Sequence, residues 1–302
     1  MTGLELFLGA LFLLYFILLA VVKFGWNFPK AFKNNSKTFD NRITVVIPFR
    51  NEQSNIADIV EDLKNQKTDR TTFEVIFVND HSTDDSDLIC KKLISGVDGF
   101  TIISLPENLR GKKYALANGI ESAKGSIIVT SDADCRVSRN WLESIRDLFN
   151  HQEVNMLVGG VAIEPSGSLI SEAQSLEGAA LTAVTAASIN LNIPIMCSGA
   201  NLAFRKEVYK TVGGYEGNFD IPSGDDEFLM RKIEEHFPGT IYYHHNPEVV
   251  VRTKALESMS QLFSQRIRWA GKWKFNLFSA TSLVAVFLVV FNVGFLPRLR
   301  WR

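Results

Sequence analysis

A short β-branched run that ends in two aspartates constrains this 302-residue chain most strongly. Residues 126–131 read Ser-Ile-Ile-Val-Thr-Ser, and Asp132-Ala-Asp134 follows directly. Such a run, preceded by Gly125, is typical of a buried parallel strand whose carboxyl end opens onto a site. If the strand geometry continues, Asp132 and Asp134 point to the same side. Two hard oxygen ligands at that position suit a Mg²⁺ or Mn²⁺ ion that holds a diphosphate. The alternative interpretation of the two aspartates is a turn exposed to solvent.

Strand-like and helix-like stretches alternate in the first half of the chain. Apolar residues at helical spacing from Ile56 to Leu63 predict a helix that Ser54 or Asn55 can cap. Alternation at roughly 30 residues per unit is typical of βαβ units, so we expect an α/β fold with a mostly parallel central sheet. The four predicted strands occupy residues 43–47, 73–78, 101–105 and 127–130.

Polar residues follow three of these strands at the point where each strand ends. In open parallel sheets, ligands bind outside the carboxyl ends of the strands. We therefore expect one binding site along that edge. The polar residues are Asn51, Glu52, Asp80, Asp132 and Asp134.

The composition argues against nucleic acid as a partner but does not identify a reaction. The formal net charge is −1 at pH 7, so no overall positive field favours nucleic acid. Cys90, Cys135 and Cys197 are far apart in the sequence, form no metal or disulfide framework, and fit a reducing compartment. We expect a folded domain that faces the cytosol.

The chain begins with an apolar stretch. Residues 4–22 carry one charge, Glu5, and about 20 such residues span a bilayer. Positive charge follows the stretch instead of preceding it, unlike in a signal peptide. The positive-inside rule then places the following domain in the cytoplasm. The alternative is a buried core helix. The lysines that follow are Lys23, Lys30, Lys33 and Lys37.

A second uncharged stretch, residues 275–296, is also long enough to span a membrane. Lysine and arginine lie on both sides of it, so its orientation stays open. Two spans predict a multi-pass protein of the cell inner membrane with a cytoplasmic catalytic domain. How many membrane helices follow also stays open.

The strand–helix alternation weakens after Trp141. Apolar runs predict further strands, and a run of small residues predicts a long helix. No linker-like composition separates the two halves, so we expect one domain. His244 and His245 are adjacent on a predicted strand, point to opposite faces and are poor joint ligands. The strands are expected at 157–163, 196–204, 241–244 and 248–252, and the helix at 168–190.

Two turns carry candidate donor-binding groups. Asp80 follows a strand directly and can accept hydrogen bonds from a uracil-like base or a ribose, whereas the alternative is an Asx turn. Gly111 precedes Lys112 and Lys113 at a helix start, which suits a phosphate, although a solvated basic turn has the same composition.

Two clusters in the second half carry further candidates. Asp225 and Asp226 open a helix, where acids commonly match the helix dipole. Closely packed carboxylates also raise one another's pKa, which suits a general base. Residues 265–269 are either an interfacial segment or a platform on which Arg268 binds phosphate and Trp269 stacks on a sugar.

In order and rough spacing, these motifs resemble the family 2 inverting glycosyltransferases. The resemblance is to the membrane-bound branch that includes cellulose, hyaluronan, chitin and poly-N-acetylglucosamine synthases and ceramide glucosyltransferases. It covers about residues 42–270; the run at 45–52 resembles the family's first strand, and 198–201 and 213–215 its acceptor-side segments. The motifs are Asp80, Asp132-Ala-Asp134, Asp225-Asp226 and Gln265-x-x-Arg268-Trp269.

The resemblance implies a GT-A fold, a nucleotide-sugar donor such as a UDP-sugar, and a lipid or glycan acceptor at a membrane. Asp80 would contact the nucleoside, Asp132 the diphosphate, and Asp134, with Asp132, a Mg²⁺ or Mn²⁺ ion. Asp226 would be the catalytic base, although Asp225 replaces the more usual Glu or Thr and leaves that assignment open. The other implied donor-binding residues are Pro48, Asn51, Glu52 and Lys112, and the implied acceptor and diphosphate residues are Gln265, Arg268 and Trp269.

The same reading divides the chain into four segments. We expect an N-terminal transmembrane helix at 1–22 and a GT-A domain at 40–252. An interfacial acceptor-side helix at 253–274 and a C-terminal transmembrane helix at 275–297 would follow.

Two other functions fit part of the pattern. A catalytically silent nucleotide-binding subunit of a polysaccharide synthesis complex would tolerate loss of Asp134 or Asp226, and both are present. A nucleotidyltransferase of related topology would use paired aspartates but gives no reason for the motif at 265–269. We therefore expect a glycosyltransferase that acts by a metal-assisted single displacement, with the sugar, the acceptor, processivity and the oligomeric state left open.

Overall fold

A computed structural model describes residues 3–32, 41–221 and 224–270. The second predicted membrane span, at 275–296, lies outside the described residues. The strands are β1 (Ile43–Phe49), β2 (Phe73–Asn79), β3 (Phe100–Ser104), β4 (Ile127–Thr130), β5 (Cys135–Arg136), β6 (Met156–Gly159), β7 (Val161–Glu164), β8 (Leu202–Arg205), β9 (Ile241–His244) and β10 (Val251–Lys254). The helices are α1 (Gly3–Asn27), α2 (Ile56–Lys64), α3 (Ser86–Ile94), α4 (Lys112–Ser122), α5 (Trp141–Leu148), α6 (Leu169–Asn190), α7 (Lys206–Thr211), α8 (Asp225–His236) and α9 (Met259–Ala270).

Within the described ranges, seven strands form a central sheet in the order β3-β2-β1-β4-β8-β6-β9. Each neighbouring pair in it is parallel except the two pairs that β8 makes with β4 and β6. The expected α/β fold with a mostly parallel sheet is therefore confirmed. Because β8 is antiparallel to both neighbours, β6 and β9 again run in the direction of β4.

Strand β1 lies inside the sheet, between β2 and β4, and is buried along its whole length. Ile43 lies opposite Phe73 of β2 on one side and Ile127 of β4 on the other. The strand continues past the expected end at Pro48 to Phe49. Its ladder to β4 stops at Val46, so Pro48 lies where β2 alone flanks the strand and a missing N–H is tolerated.

A second sheet of three described strands, in the order β5-β10-β7, lies beyond the central one. The expectation of one strand at 157–163 is wrong, because the chain changes sheets at Gly160, between β6 and β7. The buried Asn201 side chain donates hydrogen bonds to the Gly160 and Val249 carbonyls, at 2.8 and 2.7 Å. Its oxygen accepts the Trp141 indole N–H at 3.2 Å, so this amide stabilises the change of sheet.

The expected strand at 248–252 is also wrong in its limits. Pro247–Val249 form a 3₁₀ turn, which the Asn246 side chain caps by accepting from the Glu248 N–H. Strand β10 then begins at Val251.

Helices cover both faces of the central sheet. Ile59 of α2, Cys90 of α3 and Ile145 of α5 pack on one face. Ile120 of α4 and Ile233 of α8 pack on the other, together with the second half of α6. The result is a three-layer arrangement that leaves the carboxyl ends of the parallel strands open.

The long helix expected at 168–190 is confirmed as α6. The Ser168 hydroxyl caps it by accepting the Ser171 N–H, and the Ser168 N–H in turn donates to the Ser171 hydroxyl. Helix α1 packs against α6. By length and composition, α1 is the one helix among the described residues that can cross a membrane, and no residue of its most apolar window is buried.

Candidate active site

The site lies at the carboxyl edge of the central sheet. Asp132 and Asp134 follow β4, and the next residue, Cys135, opens β5. From the neighbouring elements, α4 begins at Lys112 and α8 begins at Asp225. The sequence folds this way because each helix starts where the chain leaves a strand or glycine turn at this edge.

Lys112 links the two groups of acids. Its ammonium lies 2.5 Å from Asp132 Oδ1, and both side chains are partly exposed. Burial opposes the charged form, but the charges of Asp132 and then Asp225 raise the pKa of Lys112 above its ordinary value. Lys112 is therefore a positive group placed between the carboxylates, where a diphosphate would need one.

Gly199 marks the point around which these groups lie. A Cβ placed there would lie 3.4 Å from Asp225 Oδ2, 3.6 Å from Asp226 Cβ and 3.6 Å from Lys112 Nζ. The Gly199 N–H donates to Asp226 Oδ2 at 2.9 Å, and its carbonyl accepts from the Thr130 hydroxyl at 2.9 Å. Gly199 was not among the candidate site residues, although the segment at 198–201 was singled out as an acceptor-side resemblance.

Asp225 and Asp226 have different surroundings. Asp225 is buried, and burial raises its pKa above the ordinary value, with Lys112 acting in the opposite direction. Asp226 is half-buried, and its two oxygens accept the N–H groups of Gly199 and Glu227. These two hydrogen bonds fix the orientation of the Asp226 carboxylate.

Asp132 and Asp134 form a crowded acidic pair. Partial loss of hydration, and then the charge of Asp132, raise the pKa of Asp134. Within the described ranges, no group of three or more His, Cys, Asp or Glu side chains could hold a metal ion. The pair nevertheless fits Mg²⁺ or Mn²⁺, since such ions commonly take one or two carboxylates and complete their shell with phosphate oxygens and water.

Asp80 is buried at the end of β2. Its Oδ2 accepts the Gly111 N–H at 3.0 Å and lies 4.0 Å from Arg50. Its Oδ1 is buried and has no hydrogen-bond partner among the described residues. A buried carboxylate oxygen left unpaired in this way can accept a hydrogen bond from a ligand.

Two loops at this edge are held together by side chains. Asn51 Oδ1 accepts the Thr83 N–H at 2.8 Å, and the Glu52 N–H donates to the Ser86 hydroxyl at 2.7 Å. Asn51 therefore supports the loops. Burial, and then the charges of Asp134 and Asp132, raise the pKa of Glu52, which places this carboxyl near the acidic pair.

His81 adopts φ 55°, in the left-handed region. Glycine adopts this backbone conformation without strain, whereas other residues rarely do. The His81 ring forms a hydrogen bond with the Leu109 carbonyl at 3.0 Å, an interaction that glycine could not make.

Lys113 has a different environment from Lys112. It is buried, and its ammonium donates to the carbonyls of Asn218, at 2.7 Å, and Ile221. The adjacent ring of Tyr114 stacks on Phe219 with 4.5 Å between ring centroids. Lys113 therefore holds the segment that leads to Asp225, whereas Lys112 pairs with Asp132.

The motif at 265–269 lies on α9. Gln265 is half-buried and Arg268 is exposed. The side chain of Trp269 is outside the described part of the structure. Arg266, which was not a candidate, forms an ion pair with Glu177 of α6.

The two histidines have separate environments. The buried His244 ring forms a hydrogen bond with the Ser144 carbonyl at 3.1 Å, whereas the exposed His245 meets Asn190 Nδ2 at 3.0 Å. The expectation that they are not joint ligands is consistent with this geometry.

Comparison with known proteins decides the family. Residues 44–213, more than half of the chain, match the sequence family described as glycosyl transferase family 2. The chain belongs to glycosyl transferase family 2. The resemblance seen in the motifs is thereby confirmed, and the protein is a glycosyltransferase.

Two relatives agree with the family 2 assignment. The glycosyltransferase AglE of Haloferax volcanii is 23% identical over 262 residues, which cover 85% of this chain and 82% of AglE. The poly-beta-1,6-N-acetyl-D-glucosamine synthase of Staphylococcus aureus is 26% identical over 230 residues. That alignment covers 76% of this chain and 53% of the synthase, so the chain spans about half the length of that relative.

A solved glycosyltransferase structure shares the fold. The mannosyltransferase PcManGT from Pyrobaculum calidifontis, in complex with GDP-Man and Mn²⁺, superposes with a TM-score of 0.67 at 20% identity. The match covers 96% of this chain and 81% of PcManGT. The family match ends at residue 213, before Asp225, Asp226 and the motif at 265–269.

Proposed function

We propose that this family 2 enzyme is membrane-anchored and transfers a sugar, with inversion, from a nucleotide-sugar to a hydroxyl of a lipid or glycan acceptor. The observation that carries the proposal is the convergence of Lys112, Asp132 and the Asp225–Asp226 pair around Gly199. This arrangement offers a cation for a diphosphate, a carboxylate for a metal ion and an oriented base within one site.

The proposed donor is a UDP-sugar. The unpaired buried oxygen of Asp80 can accept the N–H of a uracil base. Pro48 lies near the end of the neighbouring strand β1, and Asn51 and Glu52 belong to the loop that follows it. PcManGT is solved with GDP-Man, and guanine also presents an N–H to a carboxylate. Sugar donors with uracil and sugar donors with guanine are therefore both included in the test.

The proposed reaction is a single displacement. Asp226 accepts the proton of the acceptor hydroxyl while that oxygen attacks the anomeric carbon from the face opposite the leaving group. The new carbon–oxygen bond forms as the bond to the phosphate oxygen breaks, and the nucleoside diphosphate leaves with the electron pair. No enzyme nucleophile is needed, in contrast to a retaining glycosidase. A positioned base contributes about 10²–10⁴-fold.

Asp132 and Asp134 are the proposed holders of Mg²⁺ or Mn²⁺. When bound, such an ion supplies positive charge that stabilises the departing diphosphate. PcManGT is solved with Mn²⁺. Lys112 would move its hydrogen bond from Asp132 to the diphosphate, and Gln265, Arg268 and Trp269 are proposed to bind the acceptor and diphosphate region.

The proposed anchor is α1, with the GT-A domain over 40–252 in the cytoplasm. The support is the apolar composition of α1 and the lack of burial in its most apolar window. The segments at 253–274 and 275–297 are proposed as an interfacial helix and a second span of the cell inner membrane.

Nucleotide release tests this function. Membranes that contain the full chain are incubated with UDP- and GDP-sugars and a lipid extract, with Mn²⁺ or Mg²⁺ or with chelator. We expect metal-dependent release of one nucleoside diphosphate from one donor, and its loss in Asp134→Ala. If the protein is folded and releases a nucleoside diphosphate from none of the donors, the transfer reaction is rejected. That result would favour a catalytically silent nucleotide-binding subunit.

A further inference from the structure

The start of α4 touches separate parts of the candidate active site. The Gly111 N–H donates to Asp80 Oδ2 at 3.0 Å, on the side proposed for the nucleoside. The Lys112 ammonium lies 2.5 Å from Asp132 Oδ1, on the side proposed for the diphosphate. Lys113 follows directly and reaches in another direction, because successive side chains on a helix point about 100° apart. It contacts the segment that leads to α8.

The Lys113 ammonium is enclosed by the protein. This residue is 5% exposed, and its Nζ donates to the carbonyls of Asn218, at 2.7 Å, and Ile221. A buried charge is costly unless it is hydrogen-bonded, so these contacts hold the ammonium in one place. The neighbouring ring of Tyr114 stacks on Phe219, with 4.5 Å between the centroids and 20° between the ring planes. The start of α4 therefore holds this segment through both side chains.

Asn218 carries the contact from α4 to α8. It is buried, and its side-chain amide donates to the Gly224 carbonyl at 3.4 Å. The same carbonyl accepts the Phe228 N–H at 3.0 Å, the first hydrogen bond of α8. Gly224 adopts φ 85°, a left-handed conformation that glycine allows without strain. The position of the Gly224 carbonyl therefore sets where α8 begins.

Asp226 lies in the first turn of α8, two residues after Gly224. Its Oδ2 accepts the Gly199 N–H at 2.9 Å. A general base must lie within hydrogen-bond reach of the proton that it removes, and a misplacement of about 1 Å can cost a hundredfold in rate. The Asp226 carboxylate thus has two supports, which are Gly199 directly and Lys113 through Asn218.

We propose that Lys113 is a positioning residue that fixes the Asp226 base relative to the bound donor. The inference rests on the proposed function, in which Lys112 binds the diphosphate and Asp226 is the base. Because Lys112 and Lys113 are consecutive, the group that binds the diphosphate and the group that holds the approach to α8 move together. The anomeric carbon is bonded to an oxygen of that diphosphate, so the same short piece of α4 sets the distance between this carbon and the base.

Substitution of Lys113 tests this role. Lys113→Met keeps an unbranched side chain of similar length but removes the donating ammonium. Lys206→Met is the matched control, because the Lys206 ammonium also donates to two carbonyls, those of Ala123 at 2.6 Å and Glu121 at 3.2 Å, near the amino end of β4. Membranes that contain the full chain are assayed for kcat and donor KM with the UDP- and GDP-sugars and lipid extract of the release assay. Dissociation constants are measured for UDP and GDP with Mn²⁺.

We expect Lys113→Met to lower kcat about ten- to a hundredfold, because a misplaced base loses much of its effect. The donor KM and the dissociation constants for UDP and GDP should stay within about twofold of the wild-type values, since Gly111 and Lys112 remain. Lys206→Met should change none of these quantities. A nucleotide dissociation constant that rises as much as kcat falls would overturn the proposal.

A double substitution separates positioning from general damage. If Lys113 acts through Asp226, Lys113→Met should lower kcat little further in the Asp226→Asn background, since residues that act as a unit are not additive. An equal fall in both backgrounds would overturn the proposal. Tyr114→Leu removes the ring contact with Phe219 and keeps the ammonium. It should show the same dependence on Asp226, and it replaces Lys113→Met if that variant does not fold.

Amide hydrogen exchange tests the geometry without any need for activity. Lys113→Met should speed exchange over residues 224–230 at least about threefold, and Lys206→Met should not. Unchanged exchange in Lys113→Met would overturn the proposal even if the enzyme transfers sugar. A folded wild-type protein that releases no nucleoside diphosphate would reject the proposed function and, with it, the role of Lys113 in catalysis, whatever the exchange result.

Discussion

The ammonium of Lys112 and the carboxylate of Asp132 form an ion pair 2.5 Å long at the mouth of the site. Asp225 and Asp226 lie near the same ammonium, around Gly199. Lys112 thus balances acids that belong to two separate segments of the chain.

Replacing this lysine should weaken donor binding. Lys112→Met removes the positive group that we assign to the diphosphate, and a charged hydrogen bond is worth about 1.5–3 kcal/mol. We expect kcat/KM for the donor to fall about ten- to a hundredfold. Lys91→Met breaks a comparable ion pair with Asp87 on the surface of α3 and should leave kcat/KM unchanged. Equal effects of the two substitutions would contradict the assignment.

The two acids at the start of α8 should differ in their effect on transfer. Asp226→Asn keeps the shape of the side chain but removes the base, so transfer should fall about 10²–10⁴-fold while nucleotide binding remains. Asp225→Asn should cost less, because that buried carboxyl is not held by the Gly199 N–H. Rates of sugar transfer and nucleotide affinity, measured for both variants, check this. Retained transfer in Asp226→Asn would move the base to Asp225.

A bulky side chain at Gly25 should separate α1 from α6. Gly25→Leu forces a Cβ to within 2.7 Å of the Ala187 carbonyl oxygen, and overpacking of this kind costs about 1–3 kcal/mol. We expect faster amide hydrogen exchange over residues 185–190. Gly9→Leu is the matched control in the same helix, because a Cβ there meets nothing within 4 Å. Unchanged exchange in Gly25→Leu would show that the close contact contributes no stability.

Thiol reactivity should distinguish the three cysteines. Burial raises the pKa of Cys90 to about 12 and also raises that of Cys135, so at pH 8 both lack thiolate, the reactive form. Cys197 is half-buried. A chromogenic disulfide reagent should therefore modify one thiol rapidly in the folded chain. Raising the pH from 7 to 9 should leave the reaction of Cys90 and Cys135 slow, since pH 7 and pH 9 both lie below the raised pKa of Cys90. Rapid loss of two or more thiols would contradict the burial.

The sequence predicted those parts of the fold that local pattern controls. Strands β1, β2 and β4 are mostly apolar because both faces of the sheet are covered, and Ser168 caps α6 from the residue just before it. The Asp132-Ala-Asp134 run was identifiable because polar residues at the end of a buried strand stand out.

The rest depended on contacts between distant segments. The break at Gly160 is stabilised by Asn201, some 41 residues later in the chain, so no local pattern reports it. Lys112 and Lys113 are equivalent in sequence, and only the position of the Asn218 and Ile221 carbonyls gives them different roles. The position of Gly199 in the site depends on the hydrogen bond that its N–H donates to Asp226 of α8, 27 residues later in the chain.

The pairing of Gln174 with Leu256 has a consequence for any shortened form of the protein. The buried Gln174 side chain of α6 donates to the Leu256 carbonyl at 2.8 Å and accepts the Leu256 N–H at 3.0 Å, so both groups of this amide are used by a backbone 82 residues away. A fragment that stops at residue 252, where the expected catalytic domain ends, would leave the Gln174 amide oxygen unpaired in the interior, at a cost of about 1–3 kcal/mol. The amide nitrogen would keep only its hydrogen bond to the Ile170 carbonyl, at 3.2 Å. The smallest piece that can keep the native interior must therefore continue past Leu256.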